Sequence, residues 1–196
     1  MKGLTQNKAM KKILLCFVTT LLMASVYGQV SQFALAREKY EDQSYSKTFD
    51  DSIPALTKYD NAKVWIAKTF GDYSKVVQYE DSEKCRLILK ASAPIENVYT
   101  RDATNQYTTT WFSTLHFTLT IDCKNEKFRL KFEDMKCEVS YSKNTPLGKM
   151  QSDGSVIMPL SEYMNKEEGF QRAFGSALAS IVNSAHKSIT TIEEDF

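Results

Sequence analysis

The feature that most constrains this chain is a strict alternation of apolar and polar residues in its middle third. From Trp111 to Cys123 the odd positions are mostly apolar, whereas the even positions from Phe112 to Asp122 are mostly polar. Successive side chains of a β-strand point to opposite faces, so this segment has one apolar face and one polar face. The pattern predicts a long strand whose apolar face lies on the core of an α+β domain.

The return strand follows a predicted turn at 124–126 and changes phase once. Its apolar positions fall into two sets that are out of step by one residue: Phe128, Leu130 and Phe132, then Met135, Cys137 and Val139. A slip of one residue in a regular alternation is what a β-bulge produces. We therefore predict a bulge at Glu133–Asp134.

The same register locates the cysteines. Cys123 and Cys137 fall on the apolar face, and Cys85 lies beside Leu87 and Leu89. A cysteine buried among apolar side chains behaves as a small hydrophobic residue, and burial raises its thiol pKa. We expect buried free thiols. One alternative stays open, because Cys85 and Cys123 can form a disulfide if their strands are neighbours.

Two segments have the period of amphipathic helices. Between 55 and 70 the apolar residues recur at intervals of three and four, after Pro54 and before Gly71. Proline suits the start of a helix and glycine its end. The segment 160–186 has the same period, and we predict that Ser161 caps it.

The remaining segments complete the predicted element order. An edge strand is expected at 44–52, and segments 74–80 and 84–91 read as a hairpin around a polar turn. The polar stretch 92–108 reads as a loop, with a short strand at Val98–Tyr99 left open as an alternative, and 140–158 reads as a surface excursion. The order is therefore strand, helix, four antiparallel strands and helix.

The first 28 residues have the organisation of a secretory signal peptide. A basic region precedes the apolar run Ile13–Ala24, and small residues precede Gln29. The run has about a dozen residues, fewer than the roughly 20 that span a bilayer. Cys16 lies inside the run and not at its end, which disfavours a lipid anchor. Met1 and Met10 both remain candidate start positions.

These observations divide the chain into a signal peptide (1–28), an N-terminal tether (29–44) and a single α+β domain (45–190). We expect export to the periplasm or beyond, with no transmembrane segment in the mature chain. Four of the 25 basic residues lie in the signal peptide, so 21 remain against 24 acidic residues. This balance offers no basic stripe for nucleic acid or an anionic membrane.

His116 is the obvious candidate for chemistry, and its surroundings in the sequence do not support that role. A catalytic base needs a nucleophile or an orienting carboxylate within hydrogen-bond reach. Asp122 is six residues along the same strand, roughly 20 Å away. His186 lies on the last helix, so the two histidines have no metal-ligand spacing. The sequence contains no nucleophile elbow and no paired-carboxylate signature, and we expect neither catalysis nor a cofactor.

Three quoted segments carry a resemblance to a known family: AKVWIAKTF (62–70), VVQYEDSEKCRLILKAS (76–92) and FTLTIDCKNEKFRLKFEDM (117–135). Over roughly residues 46–139 the chain resembles exported Gram-negative bacterial proteins that contain a domain of unknown function with a TATA-binding-protein-like (TBP-like) fold. The resemblance implies export and a curved antiparallel sheet with two helices on one face. It implies no activity, and likeness to a DNA-binding fold carries no function by itself.

If both helices cover one face, the other face of the sheet stays open. We predict that it displays a mildly basic, hydroxyl-rich candidate ligand face: Arg86, Lys90, Thr114, His116, Thr118, Arg129 and Lys131. The alternative is an ordinary solvated sheet face. The favoured function is a non-catalytic binding or interaction module of the bacterial cell envelope, with an envelope protein or a small ligand as partner. An accessory subunit of an envelope assembly, using 29–44 or 140–158 as contacts, and an envelope hydrolase remain as alternatives.

Overall fold

The computed structural model describes residues 44–102, 107–145, 148–152 and 154–191. Within these ranges an antiparallel sheet carries helices on one face, so the predicted α+β class and TBP-like architecture are confirmed. The predicted signal peptide and, except for Ser44, the predicted tether lie outside the described residues.

The sheet has the order β1-β5-β4-β3-β2, with β6 and β7 also paired to β5. The strands are β1 (Tyr45–Asp50), β2 (Val77–Asp81), β3 (Arg86–Arg101), β4 (Thr108–Lys124), β5 (Lys127–Thr145), β6 (Gly148–Gln151) and β7 (Val156–Pro159). The helices are α1 (Ala55–Phe70), α2 (Tyr73–Val76), α3 (Leu160–Met164) and α4 (Glu168–Ile189). None of the helices in the described ranges combines the length and apolarity needed to cross a lipid bilayer.

The apolar face of the central hairpin is the core, as the alternation predicts. Leu115, Phe117 and Leu119 of β4 are buried, and so are Trp65 of α1 and Phe174 of α4, which lie on the same side of the sheet. Full burial of a large apolar side chain stabilises a fold by about 1.5–3 kcal/mol. The helices are therefore held on this face chiefly by the removal of apolar surface from water.

Helix α1 has the predicted bounds. A contact with a residue remote in sequence fixes its start, and a glycine directly after the helix fixes its end. The Ala55 N–H donates to the side-chain oxygen of Asn125 at 3.2 Å, so the β4–β5 turn caps the helix. Gly71 has φ 80°, which glycine adopts without steric cost, and its N–H donates to the Ala67 carbonyl. That turn comprises only Asn125 and Glu126, because β4 runs to Lys124.

The predicted loop at 92–108 is wrong for most of its length. Strand β3 continues to Arg101, since residues 92–101 pair with β4. Pro94 is compatible with a strand here because, in the described part of the chain, the outer edge of β3 beyond Leu89 pairs with no other strand. A register shift between Ile95 and Val98 accommodates one additional residue in β3, because two residues of β3 there lie opposite one residue of β4.

The predicted surface excursion at 140–158 is also wrong. Strand β5 extends to Thr145, and the chain then folds back as β6 and β7, both antiparallel to β5. Polar and glycine-rich sequence concealed these strands because they lie at the sheet edge, where only Met158 of β7 is buried.

The last predicted helix is two helices. Helix α3 ends at Met164 and α4 begins at Glu168, and Ser161 lies inside α3 without capping it. Gly169 therefore occupies the first turn of α4 and not a helix interior. A Cβ atom there would lie 3.1 Å from Val98 Cγ1, so the glycine allows α4 to approach β3 closely.

The predicted bulge is confirmed at Asp134. His116 pairs with Lys136 and Thr118 with Glu133, so β5 has one residue more than β4 over this interval. Asp134 has φ 52°, a left-handed conformation that aspartate tolerates better than most residues. The bulge interrupts the sheet beside the middle of β4.

Candidate functional site

All seven residues of the candidate ligand face lie on the side of the sheet away from the helices. On β4 they alternate with the buried positions, so Thr114, His116 and Thr118 are half-buried while their neighbours are buried. Arg86 and Lys90 of β3 lie across from even positions of β4. The remaining two members, Arg129 and Lys131, lie on β5. The register therefore brings the seven onto one surface.

The basic character predicted for this surface is largely neutralised at its end near the β4–β5 turn. Asp122 lies between Arg86 and Arg129, at 2.5 Å and 2.7 Å from their nitrogens. Partial burial of Asp122 raises its pKa, but the two guanidinium groups outweigh this and hold the pKa below its usual value. Lys131 is likewise paired with Glu133 at 2.7 Å. Sequence reasoning missed both ion pairs. Asp122 lies on a different strand from Arg86 and Arg129, and Glu133 lies two residues after Lys131 on the same strand.

A shallow groove of about 650 Å³ lies in the middle of the open face, beside the bulge. Its polar lining comes from β3, β4 and β5 and comprises Lys90, Ser92, His116, Thr118, Asp134 and Lys136. The Thr118 hydroxyl donates to Asp134 at 3.2 Å. The groove thus contains two lysines, one imidazole, two hydroxyls and one carboxylate.

The two lysines of the groove differ from the other cations of the face. No ion pair engages Lys90 or Lys136 within the described ranges, although Lys90 lies across from Thr118 and Lys136 across from His116. Both side chains are exposed. They are therefore free to accept an anionic group in the groove.

His116 has a partner that the sequence did not reveal. Its Nε2 lies 3.0 Å from Glu138 Oε2, and the Ser155 hydroxyl contacts the other carboxylate oxygen of Glu138. These two contacts hold the pKa of Glu138 below its usual value, with Ser155 contributing most. Ser155 contacts the Glu138 carboxylate and not the His116 imidazole. In a catalytic triad the histidine lies between the serine and the acid, so this arrangement is not that of a serine activated by histidine.

The strongly perturbed groups lie outside the groove. Burial raises the pKa of Cys123, Cys137 and Tyr163 to about 12. The two cysteines lie on the helix side of the sheet, and Tyr163 lies on α3 with its hydroxyl 3.3 Å from that of Ser113. Tyr59 and Tyr73, whose pKa values are also raised by burial, contact Glu80 on the helix side of β2. These shifts reflect the core and not a reactive centre.

The cysteine predictions hold in part. Cys123 and Cys137 are buried free thiols, as expected. Cys85 is also free, but it lies in the turn after β2 with φ 47° and is only half-buried. The turn extends to Cys85 because β3 begins at Arg86. Among the described residues, no group of three or more His, Cys, Asp or Glu side chains is placed to hold a metal ion.

Sequence reasoning missed the groove residues Ser92, Asp134 and Lys136. It also missed Glu138 and Ser155, which do not line the groove but are joined to His116. Ser92 lies in the predicted loop, and Ser155 in the predicted excursion. Counting cross-strand pairs back from the turn through one bulged residue would have placed Lys136 opposite His116. Cross-strand pairs could not be counted in this way for β7, because the sequence did not predict that β7 is a strand.

Comparisons with known proteins agree with this geometry. A family model described as a domain of unknown function (DUF4468) with TBP-like fold matches residues 45–138. No curated protein matches the sequence.

Two solved structures are similar in fold. A DUF4468 family protein from Bacteroides ovatus aligns with a TM-score of 0.50 at 9% identity, over 78% of this chain and 89% of that one. A TBP-like protein from Parabacteroides distasonis aligns with a TM-score of 0.46 at 12% identity, over 74% and 93% of the two chains. The predicted resemblance to a domain of unknown function with a TBP-like fold is confirmed over residues 45–138, which match the DUF4468 family model.

Proposed function

We propose that this protein is a non-catalytic binding module of the bacterial cell envelope, and that its groove holds an anionic group of a protein partner or small ligand. The observation that carries the proposal is the contrast between the paired cations of the open face and the two unpaired lysines of the groove, Lys90 and Lys136.

The contrast has a physical basis. A cation that already has a carboxylate partner gains little from a second anion, because the first pair must be loosened. Lys90 and Lys136 have no such competitor in the described structure, and Ser92 offers a hydroxyl in the same groove. Charge-assisted hydrogen bonds from ammonium groups to a carboxylate or phosphate are roughly twice as strong as neutral ones. The groove therefore favours an anion over a neutral or cationic ligand.

The envelope location rests on the sequence of residues 1–28, whose basic, apolar and small-residue segments follow the secretory pattern. Fractionation of cells that express the full chain tests it. We expect a processed protein in the periplasmic or extracellular fraction. An unprocessed protein confined to the cytosol would contradict the envelope assignment.

Titration with simple anions tests the groove. Inorganic phosphate and acetate are added to the isotopically labelled protein, and amide chemical shifts are followed by NMR. We expect saturable shifts at Ser92, His116 and Thr118, with dissociation constants in the millimolar range that suits an isolated anionic group. The double variant Lys90→Gln/Lys136→Gln should lose these shifts.

A matched control comes from the same face. The variant Arg129→Gln/Lys131→Gln removes the same number of charges from cations that already have partners. It should retain the shifts. If both double variants bind equally, or if the wild-type protein shows no saturable change, the groove is not an anion site.

The accessory-subunit alternative has one supporting observation. Several large apolar side chains are exposed at the end of the sheet farthest from the β4–β5 turn: Tyr99, Phe112, Tyr141, Met150, Val156 and Ile157. Tyr99, Phe112 and Ile157 lie on the open face by register. A cluster of exposed apolar residues is typical of protein contacts.

The two proposals differ in which residues carry the interaction. If the protein is an accessory subunit, Tyr99→Ser/Phe112→Ser should abolish crosslinking to an envelope protein in intact cells while Lys90→Gln/Lys136→Gln leaves it unchanged. The opposite result favours the groove.

A further inference from the structure

The end of the sheet beside the β4–β5 turn brings two free thiols together. The Cys123 N–H donates to the Cys85 carbonyl at 3.0 Å, immediately after the pair Arg86–Asp122. Partners across antiparallel strands have Cα atoms about 4.5–5.5 Å apart. A disulfide requires roughly 4.4–6.8 Å. Cys85 itself lies just outside β3, in the turn, and its backbone hydrogen bond to Cys123 continues the ladder by one residue, which brings the two cysteines into the range where a disulfide can form.

The surroundings of the two thiols are unequal. Cys123 is 3% exposed, and burial raises its pKa to about 12, with Lys58 acting against the rise and Cys85 adding to it. Cys85 is half-buried, and its thiol donates to the Ser82 carbonyl at 3.4 Å. Cys85 is therefore the thiol that an external reagent reaches first. Cys137 pairs with Leu115, much farther along β4, and lies outside this arrangement.

We propose that Cys85 and Cys123 form an oxidisable pair that closes to a disulfide with a low-molecular-weight disulfide as oxidant. The Cys85 thiolate attacks one sulfur of the oxidant, which forms a mixed disulfide and releases one thiolate. Cys123, after loss of its proton, displaces the second oxidant thiol from Cys85. The two protein thiols lose two electrons and two protons, and the oxidant is reduced to two thiols.

The bond would covalently fasten the start of β3 to the end of β4 beneath α1. It closes a loop of the chain that contains both strands, and such a closure stabilises a fold mainly by restricting the unfolded chain. We expect Tm to rise by roughly 5–10 °C on oxidation. The proposal rests on the cysteines alone, so its outcome does not depend on the function proposed for the groove.

The test uses the full chain with Cys16→Ala, which leaves Cys85, Cys123 and Cys137 as its thiols, treated with oxidised glutathione and analysed by mass spectrometry. We expect the loss of two hydrogens, one linked peptide pair that contains Cys85 and Cys123, and a higher Tm that dithiothreitol reverses. Cys137→Ala should behave in the same way. Cys123→Ala should stop at a glutathione adduct on Cys85, with no gain in Tm. A stable adduct on Cys85 in the protein that retains Cys123, or a linked pair that includes Cys137, would overturn the proposal.

Discussion

The two faces of β4 show how one strand serves two purposes. Phe117 and Leu119 point into the core, where Phe117 packs against Phe70 and Phe132 at ring-centroid distances of 6.1 and 5.3 Å. His116 and Thr118, which precede and follow Phe117 in the chain, line the open groove. Substitutions on the first face should change the free energy of unfolding strongly, whereas substitutions of exposed residues on the second face should change it little.

The two faces also differ in how deeply their pairs of ionisable side chains are buried. Lys58 and Asp51, on the covered side, are 2.7 Å apart with side-chain exposures of 0% and 10%. His116 and Glu138, on the open face, are 3.0 Å apart with exposures of 39% and 36%. A buried pair depends on both partners, because either one alone leaves an uncompensated charge. An exposed pair contributes little to stability.

The largest effect is expected in the core. Phe117→Ala removes a buried ring and leaves a cavity beneath α1, so we expect a loss of about 3–5 kcal/mol in the free energy of unfolding, measured by urea denaturation. If Phe117→Ala were no more destabilising than His116→Ala, the assignment of the two faces would be reversed.

Breaking the buried ion pair should cost slightly less. Lys58→Met leaves the Asp51 carboxylate without its cation, although the Ile53 N–H still donates to it at 2.8 Å. We expect a loss of about 3 kcal/mol. The double variant Lys58→Met/Asp51→Leu should recover part of that loss. Additive losses in the double variant would show that the pair is not coupled.

The sequence pattern predicted those elements whose side chains must be buried in the core. The β4–β5 hairpin, its bulge at Asp134 and the span of α1 were all visible, because one apolar face or one glycine determines each of them. The extension of β3 to Arg101 and the strands β6 and β7 were not visible. They are held by backbone pairing at an edge, which makes little demand on side chains.

The sequence predicted which face of the sheet carries the polar residues of the groove, but not which residues they contact. The alternation placed His116 and Thr118 on the open side, but Glu138 and Ser155 are joined to His116 only through the register of three strands. Lys58 was missed for a similar reason: a lysine on a helical stripe reads as solvent-exposed. Its partners are Asp51 and the Asn125 carbonyl, and Asn125 is remote in sequence.

Two carboxylates with lowered pKa values, Glu80 and Glu138, should contribute differently to the dependence of Tm on acidic pH. Hydrogen bonds from Lys63 and Tyr59 hold the pKa of Glu80 below its usual value of 4.5, despite opposition from burial. A depressed folded-state pKa contributes stability that is present above about pH 4.5 and is lost as the pH falls through the folded value. Glu80→Gln should therefore flatten the dependence of Tm on pH below 4.5.

Glu138 provides the comparison on the open face. Its pKa is also lowered, by Ser155 and His116, and its side chain is 36% exposed like that of Glu80. Glu138 has two such partners, however, whereas Glu80 accepts hydrogen bonds from Lys63, Tyr59 and Tyr73. We expect Glu138→Gln to alter the acid limb of the Tm profile less than Glu80→Gln does. An equal or larger effect would mean that the open face contributes to folding as much as the covered face.

The smallest effect is expected from the groove lysines. Lys90→Gln/Lys136→Gln removes exposed side chains that take part in no ion pair in the described ranges, so the free energy of unfolding should change by less than about 0.5 kcal/mol. Urea denaturation of this variant beside the wild-type protein checks it. A larger loss would indicate that the lysines support the sheet.

The most direct test of the covered face is the reactivity of its sulfurs. The native protein, kept reduced, is exposed to iodoacetamide, and labelling is followed by peptide mass spectrometry. We expect Cys85 to react, whereas Cys123 and Cys137 remain unmodified until urea unfolds the chain, because both are buried and have pKa values of about 12. Labelling of Cys137 in the native protein at the rate of Cys85 would contradict the account, since the helices would then not cover that face.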